Sequence, residues 1–173
     1  MKIIFSDKKP RDECAIFGVS RNSQAAQLVA LGLHALQHRG QDSTGVVTTD
    51  NINFFAHRGM GQVSEVFSDK KVFSHLKGEL SIGHNRYGTT GESALKNVQP
   101  LFSELNIGGI AIAHNGNLTN TNFLREEFIK DGAIFQSTSD TEVILHLISR
   151  SKGDLIDRLI YSLHAIKLSL IHI

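Results

Sequence analysis

STGVVTTDNINFFAHRGM, Ser43 to Met60, is the stretch that sets the fold class. It holds two segments rich in β-branched and aromatic residues, STGVVTTD and NINFFAHRGM, and such residues suit a pleated, half-buried surface. Working outward, LSIGHNRYG (Leu80 to Gly88) and GGIAIAHNG (Gly108 to Gly116) read as strands separated by Gly, Asn and Asp. CAIFGV (Cys14 to Val19) is short, apolar and bounded by polar residues, as a buried strand would be. Gln24 to His38 carries Leu28, Leu31, Ala35 and Leu36 at helical spacing, with Gly40 as a C-terminal stop. The last third turns helical. Phe123, Leu124 and Phe128 share a face ahead of Gly132, and Ser139 and Glu142 have capping-box spacing before Val143, Ile144, Leu145, Leu147 and Ile148. Asp154 caps a further helix through Leu155, Leu159, Leu163 and Ile166. Strands followed by helices make an α+β order rather than a regular βαβ alternation.

The 173 residues suffice for one domain with a proper core, and 40% hydrophobic with 20% charged residues is the balance of a globular protein. A formal net charge of +1, with both signs spread along the chain, gives no reason to expect a nucleic-acid or anionic-membrane surface. No apolar run approaches bilayer length, and the N-terminus has too short an apolar stretch for a secretory signal. A cytoplasmic location is therefore expected. Cys14 is the only cysteine, which excludes an intramolecular disulfide and a cysteine-ligated cluster built from this chain alone. His34 and His38 sit four apart on a helix but lack an HExxH pattern and a third ligand, so no metal site is expected. GMGQVS (Gly59 to Ser64) lacks the third glycine of a dinucleotide fingerprint and a following helix pattern, and reads as a turn.

Four Gly- and polar-rich clusters lie at or beside the strand ends: QHRGQDSTG (Gln37 to Gly45), GHNRYGTTG (Gly83 to Gly91), AHNGNLTN (Ala113 to Asn120) and STSDTE (Ser137 to Glu142). Together with Cys14 they exceed what turns require. Taken singly, each has a plain structural reading. A lone Cys is usually a small core residue, Asn-Gly is a turn dipeptide, and an acid such as Asp140 complements a helix dipole.

The ordered set CAIFGV, ALQHRGQDSTGV, GMGQVSEVF, GHNRYGTTG, NVQP, AHNGNLTN and STSDTE resembles the class II glutamine amidotransferases, and among them the amidophosphoribosyltransferases of purine synthesis. The resemblance runs from about Cys14 to about Lys167. It implies an N-terminal-nucleophile hydrolase fold, a four-layer αββα sandwich, here expected to lack its C-terminal strands. It implies hydrolysis of glutamine to glutamate and ammonia, which a phosphoribosyltransferase domain absent from this chain uses to make phosphoribosylamine from phosphoribosyl pyrophosphate. Mg²⁺, a 4Fe-4S cluster in cluster-bearing members, and a homo-oligomer belong to the full-length enzymes so implied. Two alternatives stand beside this one: another class II domain of the glucosamine-6-phosphate synthase type, or a non-catalytic remnant serving as a binding module.

Carried over by motif, Cys14 is the implied nucleophile, and Arg39 and Gly40 line the site. Arg86 would hold the glutamine carboxylate with Thr89 nearby, because a guanidinium fork binds a carboxylate at two points. Asn115 and Gly116 would form the oxyanion hole, and Asp140 would hold the substrate ammonium. Residues 1–13 read as a leader removed at Glu13–Cys14. That cut would free an α-amine of reference pKa roughly 7.7–8.0 to act as general base beside the thiol. LSLIHI (168–173) matches the in-frame translation of a common transposase sequencing adapter and reads as a non-native tail after the domain at 14–167. A chain ending there is expected to leave an open sheet edge and to be poorly soluble.

Overall fold

Val46 and Val47 draw their strand into the middle of a sheet, because alternate side chains of a strand reach opposite faces and both of these are buried. The computed structural model describes residues 14–87 and 94–167. Its elements run β1 (Ala15–Ser20), α1 (Ala25–Ala35), β2 (Ser43–Thr49), β3 (Phe54–Met60), α2 (Val63–Val66), α3 (Val72–His75), β4 (Leu80–Arg86), β5 (Leu101–Leu105), β6 (Gly108–Ile112), α4 (Thr121–Lys130), α5 (Thr141–Arg150) and α6 (Leu155–Ala165). An antiparallel sheet of order β1-β4-β2-β3 faces a second, two-stranded sheet of β5 and β6.

Helix α1 covers the outer face of the larger sheet, where Ala26, Val29, Ala30 and Leu33 pack with Val46, Val63, Phe67 and Leu76. A second core lies on the far side of β5–β6. There Val143, Ile144, Leu147 and Ile148 of α5 meet Leu118, Ile166, Ile110 and Ile112. Helix, sheet, sheet, helix is the order of layers, as the family resemblance implies. Asp154 caps α6 by accepting from Asp157 N at 2.9 Å, and Gly132 ends α4 at φ +82°.

Several local expectations are corrected. The strand at Ala15–Ser20 is an edge strand rather than a buried one, with Ile16 40% exposed. On α1 the apolar stripe of Leu28 and Leu31 faces outward. The buried face is the small-residue face of Ala25, Ala26, Val29, Ala30 and Leu33, which lets the helix lie close on the sheet. Phe123 is exposed, while Leu124 and Phe128 pack inward. Ser139 and Glu142 do not form a capping box. Asp140 occupies the N-cap position of α5, and Glu142 turns back to accept from the main-chain N–H groups of Gln136 and Ser137, both at 2.8 Å. GMGQVS leads into the single-turn helix α2, and β5 was not anticipated.

His84 of β4 lies across from Gly45 of β2, on the face turned toward the second sheet. It is fully buried, and neither ring nitrogen has a hydrogen-bond partner among the described residues. Burial disfavours its charged form and pushes its pKa down to about 4. The neutral ring's contribution is complete above the unfolded value near 6.5 and is lost as pH falls toward that folded value, because the unfolded chain takes up the proton first. The loss is on the order of 3 kcal/mol at full protonation. Urea titrations between pH 7.5 and pH 4 should show this acid slope in the parent and a flatter one in His84→Leu. Parallel slopes would contradict the assignment.

Candidate active site

Cys14 stands at the head of β1, and the register Ala15↔Asn85 sets it beside the end of β4. Its Sγ accepts from the Tyr87 N–H at 3.4 Å. Two side chains fix its carbonyl oxygen: Arg39 Nε donates at 3.3 Å and Asn115 Nδ2 at 2.7 Å. These donors come from the turn after α1 and the loop after β6, so three separate elements converge on one residue.

The turn after α1 is held by side-chain bonds. Gln37 Nε2 donates to the Gly40 carbonyl at 2.6 Å, while its Oε1 accepts from Val63 N at 2.8 Å. Gly40 is extended rather than left-handed, so it is not a helix stop of the expected kind. Its small size serves close approach instead: a Cβ there would lie 2.7 Å from the Arg86 carbonyl carbon. That packing keeps the main chain of Arg86 against the turn. The Arg86 side chain is 7% exposed and lines the same cavity as Cys14.

The cavity has a volume of about 470 Å³, and its wall includes Cys14, Arg86, Gln99, His114, Gly116 and Asp140. Asp140 sits opposite Arg86 in charge. One of its oxygens accepts from Leu118 N at 3.0 Å, and the other lies 4.0 Å from His114 Nδ1. Burial lowers the pKa of His114, with Asp140 opposing the shift. Desolvation outweighs a partner that far away, so His114 is neutral near pH 7 and leaves the Asp140 charge uncompensated by an ion pair with it.

Of the residues singled out in the sequence, Cys14, Arg86, Gly116 and Asp140 line this cavity. Arg39, Gly40 and Asn115 are not in its wall: Arg39 and Asn115 bond the Cys14 carbonyl, and Gly40 packs against the main chain of Arg86. Thr89 lies outside the described residues. Asn115 differs from expectation in one respect: an N–H of its amide is already engaged by the Cys14 carbonyl. A carboxamide nitrogen carries two N–H groups, so one remains for another acceptor. His114, Asn97 and Gln99 also belong to the wall and were not assigned roles, although AHNG and NVQP contain them. Among the described residues, no group of three or more His, Cys, Asp or Glu is placed to hold a metal ion. No helix among them is long and apolar enough to cross a membrane.

A thiol at the head of an edge strand, above a polar cleft in a helix–sheet–sheet–helix sandwich, defines the N-terminal-nucleophile class of fold. The chain belongs to the glutamine amidotransferase domain family, whose model matches residues 55–167. It is 57% identical to the amidophosphoribosyltransferase of Rhizobium etli over 141 residues, 82% of this chain and 28% of that relative. The amidophosphoribosyltransferase of Lacticaseibacillus casei is 49% identical over 142 residues, 82% of this chain and 73% of that relative. A solved structure of glutamine phosphoribosylpyrophosphate amidotransferase from Bacillus subtilis, complexed with ADP and GMP, superposes with a TM-score of 0.81 at 43% identity. That match covers 88% of this chain and 33% of the other. A solved allosteric regulatory enzyme of purine biosynthesis gives a TM-score of 0.83 at 44% identity, with the same coverage. The chain is thus a glutamine amidotransferase domain homologous to the N-terminal part of the amidophosphoribosyltransferases, and it spans 28% of the length of the Rhizobium relative.

Burial raises the Cys14 pKa above the ordinary thiol value, against the opposing effects of the Tyr87 main chain and the Arg86 charge. A raised pKa means less thiolate at neutral pH than in a free peptide. Iodoacetamide alkylation of Cys14 should therefore show a pH midpoint above that of the same thiol in urea. A midpoint at or below the unfolded one would contradict the burial argument.

Proposed function

We propose that this cavity hydrolyses the side-chain amide of glutamine, with Cys14 as nucleophile once the Glu13–Cys14 peptide bond is cut. The observation that carries the reading is the placing of a guanidinium and a carboxylate in the wall of one cavity that also holds a thiol. A zwitterionic amino acid with a terminal amide needs that set. Arg86 would bind the substrate carboxylate in a forked pair, and Asp140 would bind the ammonium through the oxygen not used by Leu118 N.

The thiol needs a base, because burial keeps it protonated. The freed α-amine of Cys14 itself would take the thiol proton as Sγ attacks the amide carbon. Negative charge then develops on the amide oxygen, where the second N–H of Asn115 and the Gly116 N–H would meet it. The amine returns the proton to the leaving nitrogen and ammonia departs, leaving a γ-glutamyl thioester. Water cleaves the thioester to glutamate and regenerates the thiol. Holding the Cys14 carbonyl at two points keeps amine, thiol and oxyanion donors in one geometry.

In the intact protein the ammonia would serve phosphoribosylamine formation from phosphoribosyl pyrophosphate, the first step of purine synthesis. That reading is supported by the names of the homologues. Mg²⁺, an iron–sulfur cluster in cluster-bearing members and a homo-oligomeric state would belong to the full-length enzyme.

A diazoketone analogue of glutamine, incubated with the processed chain and mapped by peptide mass, should modify Cys14. Asp140→Asn should slow that labelling by about ten- to a hundredfold, the worth of a hydrogen bond to a charged group. Labelling at another residue, or none, favours the non-catalytic alternative.

A further inference from the structure

NVQP (Asn97 to Pro100) sits between the two sheets, and its polar side chains are not spent on its own turn. The segment is anchored first to the larger sheet. Val98 is fully buried, and its carbonyl accepts from Arg58 Nη1 of β3 at 3.2 Å. The main chain of Gln99 crosses Gly45 of β2 so closely that a side chain there would collide with its carbonyl. From that anchored base, two buried carboxamides reach in different directions. Asn97, 2% exposed, donates from Nδ2 to Thr138 Oγ1 at 2.8 Å and accepts from Thr138 N at 2.9 Å. Gln99, 6% exposed, accepts at Oε1 from His114 N at 2.7 Å.

Thr138 lies two residues before Asp140, and His114 immediately precedes Asn115 and Gly116. One short segment therefore holds both flanks of the cavity, the flank that carries the acid and the flank beside the thiol. We propose that Asn97 and Gln99 are positioning residues that fix the span between the thiol end and the Asp140 end of the cavity, and thereby select an amide of glutamine length over the shorter asparagine. The inference rests on the reading of this cavity as a glutamine site. Its physical basis is that each carboxamide bonds a main-chain N–H which, once buried without an acceptor, costs far more than a surface bond. The flank must then shift to find another partner. A shift at either end changes which chain length puts the amide carbon at the sulfur while the ammonium meets the carboxylate.

The test uses two diazoketone probes, one of glutamine length and one of asparagine length, and the rate at which each labels Cys14 in the processed chain. Gln99→Glu retains an oxygen for the His114 N–H, whereas Gln99→Leu removes it. Gln99→Leu should lower the rate with the glutamine-length probe about tenfold and narrow the preference over the shorter probe by a similar factor. Gln99→Glu should stay within about threefold of the parent. A Gln99→Leu protein that keeps both rate and preference overturns the proposal, as does a Gln99→Glu protein that falls equally far. If Gln99→Leu does not fold, Asn97→Leu set against Asn97→Asp carries the same comparison. Leu removes the acceptor for Thr138 N, whereas Asp keeps it. A parent chain whose Cys14 reacts with neither probe overturns the glutamine reading itself, which is a different result from an unchanged preference.

Discussion

The buried amide of Asn85 ties three elements to one level of the molecule. Its Oδ1 accepts from Thr44 Oγ1 of β2 at 3.0 Å, and its Nδ2 donates to the Leu33 carbonyl near the end of α1 at 2.7 Å. The residues paired across the sheet at that level are Ala15, Asn85, Thr44 and Gly59. Cys14, Arg86 and the turn at Gly40 all leave from this row. A carboxamide with both ends satisfied in a dry interior permits little adjustment, since any displacement strands a polar group. The place of the thiol relative to the guanidinium is thus set by the helix–sheet junction beneath it, before any site residue is considered.

Charge in the cavity follows from burial as much as from side-chain type. His84 and His114 lie against or within the site and are both pushed toward the neutral form by desolvation. The formal charges in the cavity wall are those of Arg86 and Asp140, opposite in sign. Cys14 is likewise held protonated, so a reaction through this thiol would need a nearby base. In the proposed reaction that base is the amine on the same residue, which the Glu13 peptide bond blocks until it is cut.

Much of the site was legible in the sequence, because its residues cluster in Gly- and Asn-rich runs at strand ends and those runs are ordered as in a recognisable family. The strands of the larger sheet were legible too, from β-branched composition. What periodicity missed has a physical cause in each case. The face of α1 was misread because the bulkiest residues, Leu28 and Leu31, point outward, while alanines make the close contact with the sheet. Glu142 has the spacing of a capping box but spends its carboxylate on the preceding loop. LFSEL reads as nothing in particular until β6 pairs with it. Asn97 and Gln99 look like loop polarity in the chain, and only the fold shows that their amides reach Thr138 and His114.

In the proposed reaction Cys14 works with its own α-amine as base. The direct measurement is glutamate release from glutamine by the chain before and after cleavage at Glu13–Cys14, with N-terminal sequencing in parallel. Turnover should rise in proportion to the fraction of chains carrying a free Cys14 amine, and the uncut chain should be inactive. Equal turnover by cut and uncut chains, or none by a fully cut and folded chain, would contradict it.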